Sequence, residues 1–187
     1  AKYAEVKGLV GGETSIQGTP SNLGIIDILI RNVEAKNFGE DKVFQRGLAI
    51  GDPRWQKTLD TFLAKAATGG VNAWIVHLSE GVDMKSAEEF TLLKDLGMLQ
   101  EWTVMIHATA LQALDFAEAG EVGAKVVWSP TSNMLLYGGT TRVDQAMAAG
   151  VKVSLATDWS PSGPKNLLDE LKVAWELNAE YANIKED

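Results

Sequence analysis

The residues best suited to chemistry begin with a His-x-x-Glu pair, His77 and Glu80. His77 ends an apolar run of strand length, and Glu80 falls in the loop that should follow it. Imidazole is the commonest protein ligand for zinc and similar metals, and a nearby carboxylate can move protons to and from a bound water. The pair therefore suits metal-assisted hydrolysis. The alternative is a core histidine whose hydrogen bonds are satisfied, beside a solvated glutamate.

His107 and Asp158 occupy positions equivalent to that of His77, because each directly follows an apolar run of strand length. The chain has 2 histidines, and both fall at the ends of expected strands. In a parallel sheet or barrel the carboxyl ends of the strands meet at one edge, where ligands bind. We therefore predict that His77, His107 and Asp158 share one site. Polar strand ends that only satisfy neighbouring loops are the alternative.

The elements that must position these residues alternate along the chain. Apolar runs predict six strands, at residues 14–17, 43–50, 73–76, 103–106, 125–128 and 151–157. Helices are expected at 2–10, from about 23, from 53 to Gly69, from a capping box at 86–89 to Gly97, and at 111–119, 142–149 and 166–177. One helical return between successive strands predicts a parallel α/β sheet, either doubly wound or closed into a TIM-type barrel.

Two local predictions concern segments without a simple pattern. Residues 129–133, Ser-Pro-Thr-Ser-Asn, are expected to form a loop after the fifth predicted strand. The final helix is expected to turn one apolar face inward, made of Leu167, Leu168, Leu171 and Trp175. Both predictions concern which residues lie next to the predicted strand ends.

Length and composition fit a single α/β domain over residues 1–187, with no visible linker or second domain. The chain has 187 residues, whereas a complete (β/α) barrel of eight strands typically needs about 250. The formal net charge of −8, without a cluster of lysine or arginine, argues against nucleic acid or an anionic membrane as partner. A small-molecule substrate is therefore the expected partner.

The absence of cysteine means that any metal must be bound by His, Asp or Glu. No apolar run reaches the roughly 18 residues of a membrane span, and no signal peptide is visible, so we expect a cytoplasmic location. The glycine-rich nucleotide loops and the Gly-x-Ser-x-Gly nucleophile elbow are also missing from the sequence. The sequence therefore gives no support for nucleotide binding by the usual glycine loops or for a nucleophile elbow.

Four motifs together resemble a known family. They are Val-Asn-Ala-Trp-Ile-Val-His-Leu-Ser-Glu-Gly at 71–81, Val-Met-Ile-His-Ala-Thr-Ala-Leu at 104–111, Val-Trp-Ser-Pro-Thr-Ser-Asn-Met-Leu-Leu at 127–136, and Gly-Val-Lys-Val-Ser-Leu-Ala-Thr-Asp at 150–158. This series is similar to the second half of an amidohydrolase-superfamily barrel, in the branch of the cytosine, guanine and adenosine-type deaminases. The resemblance covers roughly residues 71–173, and 8–18 loosely. It implies that the four motifs end barrel strands five to eight.

The resemblance implies a set of metal ligands. His77 corresponds to the ligand on strand five, and Asp158 to the ligand on strand eight, which also accepts a proton from the coordinated water. His107 corresponds to the histidine on strand six, which orients the water or substrate in mononuclear members and binds a second metal in binuclear members. The cofactor implied is a divalent ion, with zinc first and Fe, Ni or Mn as alternatives.

The resemblance also implies roles for residues that do not bind metal. Glu80 corresponds to the acid and base that carries a proton from the water to the leaving nitrogen. Asn133 corresponds to the asparagine after strand seven that braces the strand-eight loop. Ser129 and Trp159, which lie in the loops after strands seven and eight, are assigned to the substrate loops or to structure.

Two features of that family have no counterpart in the sequence. The strand-one His-x-His is missing, and the bridging lysine of strand four is not identifiable. We therefore expect a partial barrel of about six visible strands that is a fragment of a larger enzyme. Apolar edges of such a fragment could pair, so a homo-oligomer is left open.

The function predicted from the sequence is hydrolysis of a C–N bond in a small amide or aminated heterocycle by a metal-dependent amidohydrolase-like enzyme. A non-catalytic α/β domain that binds a small molecule or a protein, with a vestigial site, is the alternative. A phosphoester hydrolase of the same superfamily is a third candidate and differs in substrate alone.

Overall fold

The computed structural model describes residues 2–17, 29–33, 42–46, 50 and 52–184. Within these ranges the helices are α1 (Lys2–Val10), α2 (Pro53–Ala67), α3 (Met84–Asp95), α4 (Ala113–Glu121), α5 (Pro130–Tyr137), α6 (Val143–Ala148) and α7 (Leu167–Ile184). The strands are β1 (Ser15–Ile16), β2 (Arg31–Asn32), β3 (Val43–Arg46), β4 (Ala73–Leu78), β5 (Thr103–His107), β6 (Lys125–Trp128) and β7 (Lys152–Leu155).

A five-stranded parallel sheet in the order β3-β4-β5-β6-β7 forms the centre of the described fold. Each strand pairs with the next along the chain, and at least one helix separates consecutive strands. β1 and β2 form a separate parallel pair. The predicted parallel α/β architecture is confirmed. All five strand ends of the main sheet therefore meet at one carboxyl edge, where ligands of such folds bind.

Alternation along β4 sorts its side chains between the two faces of the sheet. Trp74, Val76 and Leu78 are buried, whereas the residues between them are less covered. The buried face packs against α2 and α3, where Phe62 lies 6.1 Å from the Trp74 ring and Phe90 is 1% exposed. Burying an aliphatic side chain such as Val76 or Leu78 contributes about 1.5–3 kcal/mol. His77 therefore belongs to the opposite, more open face of the sheet.

Two helix starts follow from capping chemistry. Asp52 accepts a hydrogen bond from the Arg54 N–H at 2.8 Å, and Pro53 occupies the first helical position of α2, as predicted. Asp83 accepts from the Ser86 N–H at 2.8 Å and starts α3 at Met84. The capping box predicted at 86–89 is therefore wrong, because Asp83, three residues before Ser86, supplies the cap and α3 already begins at Met84.

The described ranges contain seven strands, one more than the six that the apolar runs predict. The additional strand, β2, lies where apolar spacing predicted a helix from about residue 23. Residues 29–33 are not helical, and the Val33 N–H donates to the Ile16 carbonyl at 2.9 Å, so pairing with β1 overrides local periodicity. Residues 23–28 of that predicted helix, and 47–49 of the second predicted strand, lie outside the described residues.

Residues 130–133 are helical, so the loop predicted for this segment is wrong. Pro130 stands at the first helical position, where its missing N–H has no intrahelical partner to lose. The inward apolar face predicted for the final helix is wrong as well. Leu168, Leu171 and Trp175 are 58%, 57% and 70% exposed, whereas Glu170 on the same helix is fully buried. None of the helices in the described ranges is long and apolar enough to cross a membrane.

Candidate metal centre

His77, Glu80 and His107 come together at the carboxyl edge of the sheet. His77 is the penultimate residue of β4, Glu80 follows in the loop, and His107 ends β5. One ligand atom from each lies within 4.8 Å of the others, and the two imidazole centroids are 5.5 Å apart. Among the described residues, no other group of three or more His, Asp or Glu approaches this closely. The structure thus brings together three of the residues predicted from sequence.

The His77 imidazole is held towards its neutral form. Its side chain lies on the open face of the sheet, but the surrounding protein still removes part of the hydration of the ring. This desolvation lowers the pKa of His77, and His107 lowers it further, whereas Glu80 and Asp158 act in the opposite direction. A neutral imidazole is the form that donates a lone pair to a metal.

His107 reaches the site because the chain turns at the end of β5. In the strand register His107 lies opposite Leu78, which faces the helices. Regular alternation would place His107 on that same buried side. Positive φ angles of 70° at His107 and 53° at Ala108 turn the strand end, and the ring lies beside that of His77.

Left-handed backbone conformations recur along this edge. Besides His107 and Ala108, Ser79 after β4 has a φ of 52° and Asp158 after β7 a φ of 60°. Each costs roughly 1–2 kcal/mol for a residue with a Cβ. Such strain persists where the surrounding structure imposes it, and it clusters at functional sites. The carboxyl edge of this sheet therefore has the backbone signature of a site.

A hydrogen-bond network fixes which nitrogen of His107 carries the proton. The Thr141 hydroxyl donates to the His107 carbonyl oxygen at 2.5 Å, and so accepts from the Asn133 amide NH2 at 3.2 Å. The Asn133 Oδ1 must then face His107 Nδ1, at 2.9 Å, and can only accept. In the neutral ring the proton is on Nδ1, which leaves a lone pair on Nε2.

The Nε2 atom of His107 is buried and makes no hydrogen bond. It lies 3.3 Å from Glu80 Oε1, so two lone pairs face one another. Such an approach is favourable when a proton or a metal ion lies where both atoms can bind it. Two imidazoles and a carboxylate are a donor set that suits zinc and similar divalent ions. The residues present therefore fit a metal.

Tyr137 is a member of the site that sequence reasoning missed. Its hydroxyl donates to Glu80 Oε1 at 2.9 Å, and burial together with this bond raises the pKa of Tyr137 to about 12. The hydroxyl therefore keeps its proton and stays a donor. Tyr137 follows Asn133 by one helical turn on α5, so a helical interpretation of this segment would have placed both side chains on one face.

Asp158 lies beside the cluster but bonds to hydroxyl groups. Its Oδ2 accepts from the Ser132 hydroxyl at 2.5 Å and from the Ser162 hydroxyl at 3.3 Å. It is not among the ligand atoms that lie within 4.8 Å of one another, although its charge offsets part of the lowering of the His77 pKa. Its predicted role as a ligand stays a prediction. Ser132 and Ser162 were not predicted, because isolated serines carry no pattern.

The two predicted loop residues differ in their surroundings. Ser129 is buried, and its carbonyl accepts from the Asn133 N–H at 3.0 Å, so its backbone helps to begin α5. The Trp159 side chain is 65% exposed next to Asp158. Ser129 is thus buried at the start of α5, whereas Trp159 lies on the surface after β7.

No family model matches the chain. It is 28% identical over 111 residues to a 5-methylthioadenosine/S-adenosylhomocysteine deaminase of Thermococcus kodakarensis, covering 59% of the chain and 26% of the relative. It is 31% identical over 126 residues to the deaminase of the same name from Thermoanaerobacter pseudethanolicus, covering 62% of the chain and 28% of the relative. The chain therefore spans about a quarter of the length of these curated relatives.

Among solved structures, the fold is similar to a mutant of atrazine chlorohydrolase from Arthrobacter aurescens, complexed with zinc and atraton. The TM-score is 0.63 at 16% identity, covering 87% of the chain and 40% of the other protein. At this identity the likeness concerns the fold.

Proposed function

We propose that this chain, which belongs to the amidohydrolase superfamily, bears the metal-binding and acid–base residues of a hydrolase that cleaves a C–N bond. The observation that carries the proposal is the buried His107 Nε2 lone pair, which faces Glu80 Oε1 at 3.3 Å beside His77. Fixed lone pairs from three side chains at the carboxyl edge of parallel strands are suited to metal-assisted hydrolysis.

The residues that would hold a divalent ion are His77 and His107, with a carboxylate from Glu80 or from Asp158. Zinc fits two neutral imidazoles and a carboxylate, and Fe, Ni or Mn would fit the same donors. When bound, the ion would supply Lewis-acid polarisation and would acidify a water at neutral pH.

Glu80 is assigned the proton transfers. Tyr137 donates to its Oε1 at 2.9 Å, which fixes the carboxylate and leaves Oε2 for the transferred proton. The carboxylate would take a proton from the attacking water while the water oxygen forms a bond to the substrate carbon. It would then deliver this proton to the departing nitrogen as the C–N bond breaks, and ammonia would leave.

His107 and Asp158 have supporting parts in this scheme. The Nδ1–H bond to Asn133 holds the His107 ring, so Nε2 points at the site with its lone pair. Asp158 accepts from two serine hydroxyls, which hold its carboxylate in place beside the reacting groups.

An aminated heterocycle, and a purine nucleoside first, is the proposed substrate. The names of the relatives assign them 5-methylthioadenosine and S-adenosylhomocysteine. Exposed apolar side chains flank the site in this chain: Trp159 directly follows Asp158, and a Cβ on Gly139 would lie 3.0 Å from Val82. Gly139 is two residues beyond Tyr137, so Val82 also lies close to the site. A flat, weakly polar ligand suits such surroundings.

Ammonia release by the zinc-loaded chain tests the proposal. Aminated purines and pyrimidines, simple amides and phosphotriesters would be assayed in parallel with chain that has been treated with a chelator. We expect release of ammonia from an aminated heterocycle, lost on chelation and restored by zinc. Turnover of phosphotriesters alone, or release of ammonia that chelation does not change, would contradict the proposal.

A further inference from the structure

The first turn of α5 binds three different parts of the molecule through three consecutive residues. Thr131 bonds to Glu170 on α7, Ser132 to Asp158 after β7, and Asn133 to His107 at the end of β5. Successive residues of a helix point about 100° apart, so the three side chains leave the turn in three directions. These partners fix the position of the turn; His107 belongs to the candidate metal centre, and Asp158 lies beside it.

A helix as short as α5 needs tertiary contacts to be stable in one position. It has 8 residues, and isolated helices of this length are unstable in water, so tertiary contacts must fix where it begins. A small slide or rotation would move Ser132 and Asn133 together. Of the three contacts of the first turn, only the one from Thr131 to Glu170 involves neither the metal centre nor Asp158.

Glu170 engages Thr131 with both carboxylate oxygens. Oε1 accepts from the Thr131 N–H at 3.1 Å, and Oε2 accepts from the Thr131 hydroxyl. The N–H is one of the groups that have no partner within the first helical turn, and a negative charge is favourable there. The contact therefore satisfies the start of α5 from another helix.

The cost of burying Glu170 indicates that this contact is specific. The side chain is fully buried, while Leu168 and Leu171 on the same helix are more than half exposed. Burial raises the pKa of Glu170, and the two bonds from Thr131 act against that rise. A helix packed for hydrophobic burial alone would be rotated to cover its leucines.

We propose that Glu170 is a positioning residue for the metal centre: by holding Thr131 it fixes the first turn of α5, so that Asn133 keeps His107 in the Nδ1–H tautomer and Ser132 holds Asp158. The effect on tautomer and geometry needs no metal. The consequence for metal binding rests on the function proposed above.

Nitrogen-15 NMR of the histidine rings in the metal-free chain tests the positioning directly. The chain has 2 histidines, so a His77→Gln variant assigns both rings. The wild type should show His107 protonated on Nδ1, and Glu170→Ala should shift it towards a mixture of tautomers. Glu170→Gln should behave as wild type, because its amide can still accept from the Thr131 N–H. Glu176→Ala, an exposed change on the same helix, is the matched control.

A structural role alone predicts a different result. If Glu170→Ala lowers the melting temperature but leaves the His107 tautomer as in the wild type, the proposal is overturned. If Glu170→Ala does not fold, Thr131→Val decides. It removes the hydroxyl contact but keeps the N–H contact, and it should produce a smaller shift of the same kind; an unchanged ring would overturn the proposal.

Zinc titration separates this proposal from the proposed function. If both hold, Glu170→Ala should weaken zinc binding by about tenfold, as outer contacts of metal ligands commonly do. A tautomer shift in a chain that binds no zinc even as wild type would support the positioning and reject the metal function. Zinc binding by the wild type that Glu170→Ala leaves unchanged, with an unchanged tautomer, would reject the positioning alone.

Discussion

The two sides of the carboxyl edge use their polar atoms differently. At the ends of β4 and β5, His107 Nε2 makes no hydrogen bond and faces Glu80 at 3.3 Å. At the ends of β6 and β7, Asp158 Oδ2 accepts from two hydroxyls, and Asn133 uses both its amide oxygen and its amide nitrogen. The β4–β5 side therefore has atoms left for a ligand, while the β6–β7 side holds the first side in place.

On each side, a helix carboxylate accepts a hydrogen bond from a backbone N–H close to the site. Glu89 on α3 accepts from the Ser79 N–H at 2.7 Å, next to Glu80, and Glu170 on α7 accepts from Thr131. Ser79 has a strained φ of 52°, so its backbone needs an external partner to stay in place. The comparison indicates that hydrogen bonds from helices, more than apolar contacts, locate the loops of this site.

The largest expected effect is on the β4–β5 side. Glu80→Gln removes the group that transfers protons but keeps its shape, so kcat for ammonia release should fall by about 10²–10⁴. Glu88→Gln, an exposed change on the following helix, is the control and should be as active as wild type. Equal losses in both variants would show that the assay reports stability instead of proton transfer.

Asn133→Leu tests how strongly the β6–β7 side supports metal binding by the β4–β5 side. The variant cannot accept from His107 Nδ1, so the proton can move to Nε2 and remove the lone pair. Zinc affinity measured by calorimetry should weaken by about 10–100-fold. Zinc affinity equal to that of the wild type would mean that the two sides are independent.

Tyr137→Phe should have a smaller effect. It removes one hydrogen bond to Glu80 Oε1 and leaves the ring in place. A bond to a charged group contributes about 1.5–3 kcal/mol, which corresponds to roughly 10–150-fold, and we expect kcat to fall towards the lower end, by about tenfold. Steady-state kinetics should show the loss mainly in kcat, and a change confined to KM would instead assign Tyr137 to substrate binding.

The smallest effect concerns the pH dependence of stability. Burial raises the pKa of Glu89 from its usual 4.5, in spite of the bond from the Ser79 N–H. The folded chain then binds this proton more tightly than the unfolded chain, so stability falls as pH rises above about 4.5 and through the raised pKa. Denaturant titrations should show Glu89→Gln gaining stability relative to wild type over that range. An advantage of Glu89→Gln over the wild type that grows as the pH falls would contradict the direction.

The sequence predicted the architecture and the location of the site because their signals are local. Apolar runs between helical segments predicted the strands of the parallel sheet. Position in the sequence alone placed His77 and His107 at strand ends and Glu80 in the loop that follows His77. β2 was missed because two residues carry too little pattern and their pairing with β1 is a tertiary contact. Local periodicity cannot report a partner that lies elsewhere in the chain.

Several features of the site have no local signal. The rotation of His107 into the site depends on a positive φ that nothing in the neighbouring residues requires. Tyr137 was missed because residues 129–133 were predicted as a loop, whereas Pro130 begins a helix there. Glu170 was missed because the leucines of its helix predicted the opposite buried face. In each case long-range hydrogen bonds decide against the local preference.

Metal content is the most direct measurement of the central claim. The chain would be loaded with zinc, desalted and subjected to elemental analysis, in parallel with His77→Ala, His107→Ala and the surface control Glu176→Ala. We predict about one zinc per chain in the wild type and the control, and loss of zinc in both histidine variants. Zinc retained by both histidine variants, or by none of the four proteins, would contradict a metal centre held by His77 and His107.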